Sequence, residues 1–261
     1  MSAKELIIST LRTPTVIVSA FFMLIHFYLT LTLHITIYQQ KNQMGHLPPG
    51  ITRRMTAKEK DHLTVCGGAL LANKWVLTAA HCNCSWSHQA SIAEKEQQIF
   101  KVLCYLPNPQ FNRSSKENDI MLLKLNDTAN LNKYVQLLPL PDSGEDIKPG
   151  RKRKVAGWGV TSSGKPPPCL QETIVTIIDR RSCKIKYKKH MKITSNMLSA
   201  GGKNIFAKKD ACEGDSGGPL ICASRYSGIV CFGKGCGKRK MPGVYTRLTE
   251  KYLIVNEMSA E

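Results

Sequence analysis

Hydrophobic positions along this chain fall into two textures. Residues 15–38 form one apolar run of 24 residues without a single Asp, Glu, Lys or Arg. From Leu63 onward the apolar runs are short, at 75–80, 120–125, 154–160, 174–178, 218–222, 229–232 and 243–248, and Gly, Pro, Asn and Asp separate them. Short runs bounded by turn formers predict an all-β domain. Only 250–258 reads as a helix, a short one near the C-terminus. Residues 39–62 are polar, contain Pro48-Pro49-Gly50 and show no period, which predicts a linker. The expected organisation is a polar segment at 1–14, the apolar segment at 15–38, the linker at 39–62 and one domain at 63–258.

The apolar run is long enough to span a bilayer as a helix. It ends in Ile37-Tyr38-Gln39-Gln40, a poor signal-peptidase site, because such sites carry small residues. Three readings stay open: an anchor giving membrane association, a signal segment, or a chance stretch from a misassigned first exon. Charge does not set an orientation, since Lys4 and Arg12 precede the run while Lys41, Arg53, Arg54, Lys58 and Lys60 follow it.

Composition narrows the setting. Lys and Arg number 37 against 19 Asp and Glu, for a net charge of +18. That balance favours anionic partners such as sulfated glycans. No nucleic-acid motif accompanies it, so no nucleic-acid partner is expected. Ten cysteines occur without a C-x-x-C pair, which reads as an oxidised, exported protein rather than a metal site. Sequons at Asn83, Asn112 and Asn126 agree with export. No metal or cofactor is expected.

Three local contexts carry chemistry. The first is Trp75-Val76-Leu77-Thr78-Ala79-Ala80-His81-Cys82, a buried strand that delivers a histidine. The second is Asn118-Asp119-Ile120-Met121-Leu122-Leu123, an aspartate opening an apolar strand. The third is Gly214-Asp215-Ser216-Gly217-Gly218-Pro219, a serine among glycines. Amide hydrolysis by a hydroxyl needs an imidazole to take its proton and a carboxylate to hold that imidazole. His81, Asp119 and Ser216 supply those groups. The backbone N–H groups of Gly214 and Ser216 can converge on one point and form an oxyanion hole. The serine motif also fits the G-x-S-x-G of α/β-hydrolases, but their chain order is serine, acid, histidine, and here it is histidine, acid, serine.

These motifs resemble those of the chymotrypsin-like (trypsin-type) serine proteases, from about Leu63 to Val255. The stretches at 131–135, 146–150, 155–159 and 176–180 look most like the granzymes of the A and K type. The resemblance implies two packed antiparallel six-stranded barrels with the site between them. It implies a secreted or granule-stored endopeptidase, held on sulfated proteoglycan by its charge. It places Asp210, six residues before Ser216, on the floor of a pocket for substrate Arg or Lys. Gly233 and Gly243 would be the walls of that pocket, and Cys66–Cys82 and Cys212–Cys236 would be disulfides.

The sequence also departs from the family. No Ile-Ile-Gly-Gly or Ile-Val-Gly-Gly start occurs in residues 1–65, so Asp215 lacks the ammonium that such a start, once freed, would bring to it. Arg153 and Ser199 stand where Cys222 and Cys183 would find partners, and Cys231 replaces a serine that supports the triad aspartate. The short interval between His81 and Asp119 implies a first barrel missing a strand around 89–94. These departures motivate an alternative expectation: a catalytically impaired protease homologue acting as a polyanion- or membrane-associated binding protein.

Overall fold

A computed structural model describes residues 33–37, 52–59, 62–82, 98–132, 135–142, 144–161, 164–165, 167, 170–202, 211–234 and 241–248. Among the described residues, twelve strands form two closed antiparallel barrels. The first contains β1 (Leu33–Ile37), β2 (Thr52–Glu59), β3 (His62–Ala72), β4 (Trp75–Thr78), β5 (Gln98–Pro107) and β6 (Met121–Leu125), in the order β1-β2-β3-β4-β6-β5. The second contains β7 (Lys152–Gly157), β8 (Gln171–Ile178), β9 (Met197–Gly201), β10 (Pro219–Cys222), β11 (Arg225–Phe232) and β12 (Gly243–Arg247), in the order β10-β11-β12-β9-β8-β7. The all-β double barrel is therefore present, and every one of the seven short apolar runs contributes a strand.

Two expectations about the N-terminal side are corrected. The domain does not begin at 63: β2 lies inside the expected linker, and it pairs with β3 from Thr52↔Ala69 to Glu59↔His62. Main-chain pairing holds a polar strand in place here without an apolar pattern to announce it. Nor is the first barrel short of a strand. The end of the apolar run, Leu33–Ile37, lies between β2 and β5 and closes the ring. Its Ile-Thr-Ile sequence is β-branched, which suits a strand better than a helix. Residues 15–32 lie outside the described residues, as does the expected helix at 250–258. No helix among the described residues is long and apolar enough to cross a membrane.

The first core is built from Leu70, Val76, Leu77, Leu123 and Leu125, all fully buried. Ile221, Tyr226 and Ile229 of the second barrel join it, so the two barrels share packed surface. The second core gathers Val155, Val175, Leu198, Leu220 and Tyr245. A helix unforeseen in the sequence, α1 (Arg180–Tyr187), follows β8. Asp179 caps it, its carboxylate accepting the Ser182 N–H at 2.9 Å. Only Cys183 and Tyr187 of α1 are buried, four residues apart on one face.

Candidate active site at the barrel interface

His81 sits in a short 3-10 turn, Ala80–Cys82, directly after β4. The Cys66–Cys82 disulfide ties that turn to β3, as the resemblance implies. Asp119 lies two residues before β6 and is wholly buried. The residue before it, Asn118, has φ +53°, a left-handed conformation that turns the chain into the strand. Asp119 Oδ1 accepts the backbone N–H of His81 at 2.8 Å, and Oδ2 accepts from His81 Nδ1 at 2.6 Å. A carboxylate can only accept, so Nδ1 carries the proton and Nε2 is left as the basic nitrogen. A third donor is the Cys231 thiol on β11, with Sγ 2.8 Å from Oδ2. The Asp119 carbonyl in turn accepts from Thr246 Oγ1 at 3.0 Å. Burial alone would push this carboxyl up. The His81 hydrogen bond and charge, with the Cys231 and backbone donors, outweigh burial and hold it below the usual carboxylate range.

Ser216 lies in the loop before β10. Its carbonyl accepts the Gly67 N–H at 2.6 Å, which docks the serine loop of one barrel on β3 of the other. Gly214 has φ +99°, a conformation that side chains rarely adopt. Among the described residues neither the Gly214 N–H nor the Ser216 N–H is spent on a protein acceptor. Both remain available to an oxyanion. His81 and Ser216 open on one cavity of about 300 Å³, together with Cys231, Gly233, Gly243 and Tyr245. Both glycines expected as pocket walls therefore reach the same cavity as the serine.

Asp215 does not line this cavity. Its Oδ1 accepts the Gly159 N–H at 2.7 Å and its Oδ2 accepts the Cys212 N–H at 2.9 Å. A Cβ on Gly159 would lie 2.5 Å from the carboxylate, so only glycine fits there. Among the described residues no cation reaches Asp215. Burial pushes its carboxyl up, and the two backbone donors offset only part of that effect.

The free cysteines follow the expected departures. Cys183 and Cys222 carry no disulfide, and neither do Cys104 and Cys231. Buried Cys183 receives the Ser199 hydroxyl hydrogen bond in place of a bridge, and burial pushes its thiol up. Cys212 is disulfide-bonded to a cysteine outside the described residues. Asp210, Cys236, Cys84 and Cys169 also lie outside them.

The geometry thus offers a proton-accepting imidazole, a buried orienting carboxylate, a serine at a shared cavity and two unspent N–H donors. The sequence pattern of the trypsin family (Trypsin) matches residues 42–254, most of the chain. Granzyme A of Bos taurus is 40% identical over 213 residues, covering 77% of this chain and 81% of the relative. Cationic trypsin-3 of Rattus norvegicus is 39% identical over 191 residues, covering 70% and 75%. The chain belongs to the trypsin family of serine proteases, and it is a serine endopeptidase.

Proposed function

We propose that this endopeptidase cleaves after Arg or Lys by an acyl-enzyme route, in the manner of a granzyme. The observation that carries the reading is that His81, held from behind by Asp119, and Ser216 line one cavity. Ser216 attacks the scissile carbonyl while His81 Nε2 takes its proton. His81 then returns the proton to the leaving amine, and Asp119 stabilises the imidazolium in between. The Gly214 and Ser216 N–H groups receive the oxyanion. By the resemblance to the family, Asp210, which lies outside the described residues, would pair with the substrate cation, and Gly233 and Gly243 leave room for its long side chain. The natural substrates are proteins or peptides with an accessible Arg or Lys.

Activation centres on Asp215. A buried carboxylate with only backbone partners is costly, and an ammonium freed by a cut ahead of the domain would neutralise it. That pairing would also fix the adjoining Gly214–Ser216 backbone, and with it the oxyanion hole.

A sulfated proteoglycan is the proposed storage partner. On α1 and just beyond it, Arg181, Lys184, Lys186, Lys188 and Lys189 are all exposed, whereas Arg180 is ion-paired with Asp146. Export is supported by the disulfides and by the exposure of Asn112 and Asn126, two of the three sequon asparagines.

The test is a set of matched ester substrates differing only in the residue before the cut, presented to wild type and Asp210→Ser. Wild type should prefer Arg and Lys over Phe by about 1,000-fold or more, and the variant should lose most of that preference. Equal turnover of Phe and Arg esters by the wild type would overturn the assignment.

A further inference from the structure

Replacing a hydroxyl by a thiol beside the triad changes what the triad can bind. Among the described residues, a ring nitrogen of His81, a carboxylate oxygen of Asp119 and Sγ of Cys231 all lie within 4.8 Å of one another. They are three different ligand types, and each is a recognised zinc donor. We propose that His81, Asp119 and Cys231 form an inhibitory site for zinc or a similarly thiophilic divalent cation.

The geometry is close to what such an ion needs. His81 Nδ1 and Cys231 Sγ stand 2.6 Å and 2.8 Å from the same oxygen, Asp119 Oδ2. Those are hydrogen-bond spacings, and the bonding protons occupy the centre of the cluster. Ligands around a tetrahedral zinc are about 3.3–3.7 Å apart, as bond lengths of about 2.0–2.3 Å require. Exchanging the protons for a metal therefore asks the three groups to spread by less than about 1 Å. His81 is the more accessible of the pair, its side chain being 17% exposed while Asp119 is fully buried. Entry is open, because His81 and Cys231 both line the cavity that holds Ser216. Water from that cavity fills the fourth position.

Charge favours the exchange. The thiol releases its proton, while the Nδ1 proton moves to Nε2 so that the imidazole stays neutral, and the dication then faces two negative charges, the thiolate and the Asp119 carboxylate. A serine here would offer only a hydroxyl, a poor zinc ligand, so the site depends on Cys231. Cys66, His81 and Cys82 also lie within 4.8 Å of one another, but the two sulfurs are bonded to each other and are not donors while the disulfide is intact. With the metal bound, His81 is pulled away from its role toward Ser216, and turnover stops.

Titration with Co²⁺ under non-reducing conditions tests the site, because a thiolate bound to cobalt gives a charge-transfer band that imidazole and carboxylate alone do not. The Ser216→Ala variant should show the band as wild type does, which separates this site from the proposal about catalysis. Cys231→Ser should lose the band and weaken Zn²⁺ binding by about 100-fold or more. Cys104→Ser and Cys222→Ser should keep both. In active wild type, loss of ester hydrolysis should track the band at the same midpoint. A wild-type protein with no band, a band that survives in Cys231→Ser, or one lost in Cys104→Ser or Cys222→Ser would each overturn the proposal.

Discussion

Asp119 and Asp215 are both buried, both lie next to a member of the proposed triad in sequence or space, and both accept hydrogen bonds, yet their carboxyls shift in opposite net directions. Asp119 collects a charged or chargeable partner, a thiol and a backbone N–H, and its carboxyl is held low. Asp215 has two backbone N–H groups and no cation among the described residues, and its carboxyl is pushed up. Desolvation is the largest single influence on each. Donor number and charge decide whether it wins. One carboxylate is finished, and the other awaits a partner.

The largest effect should come from breaking the finished side. Asp119→Asn keeps the shape but lets the amide stabilise the wrong imidazole tautomer, and kcat should fall by about 10⁴-fold. A fall of less than tenfold would remove Asp119 from the mechanism. The next effect acts on the waiting side. Gly159→Ala drives a methyl into the Asp215 carboxylate, and it should destabilise the fold by about 2 kcal/mol or more in urea denaturation.

The two carboxylates should then separate by pH. Asp119 has a lowered folded value, so its contribution to stability is present above the ordinary carboxyl value of 3.8 and is lost as pH falls through the folded one. Asp215 has a raised folded value, so its contribution is fully present below 3.8 and is lost as pH rises through the folded one. Asp215→Asn should therefore become progressively more stable than the unactivated parent as pH rises above about 4, while the deficit of Asp119→Asn should be constant there and shrink only as pH falls below about 4. Paired denaturation curves across that range check the sign, and parallel behaviour of the two variants would erase the distinction. The smallest effect is Cys231→Ser. A hydroxyl is the better donor to Asp119, so kcat should rise by about two- to fivefold.

Much of this architecture is legible in the sequence where burial is one-sided or complete. β6 reads directly from its apolar run, and four of its five residues are buried. β2 is not legible, because Thr-Arg-Arg-Met-Thr-Ala-Lys-Glu has neither alternation nor an apolar run, and its register with β3 is what identifies it. β5 carries a partial signal: Phe100 and Val102 are buried in alternation, but exposed Leu103 breaks the pattern. β9 is five buried residues, Met-Leu-Ser-Ala-Gly, too small and mixed to announce a strand. α1 hides among charged residues, and the available sign was its cap, Asp179, three residues before the Ser182 N–H it accepts.

At the site, local motifs identified His81, Asp119 and Ser216 because each is embedded in its own run. The substitution of Cys231 was legible as a position, but its direct hydrogen bond to Asp119 is a tertiary fact that joins residues 112 apart in the chain. The solitude of Asp215 was legible only as a missing N-terminal motif. The structure adds the physical content, a glycine-walled niche that offers backbone donors and nothing charged among the described residues.

The most direct measurement of the central claim is labelling by a fluorophosphonate, followed by mass spectrometry of the modified peptide, on protein isolated from cells and sequenced at its N-terminus. A protein that begins with a freshly cut residue should be labelled at Ser216, and labelling should vanish in His81→Ala. Protein with such an N-terminus that stays unlabelled at Ser216 while folded would contradict the account.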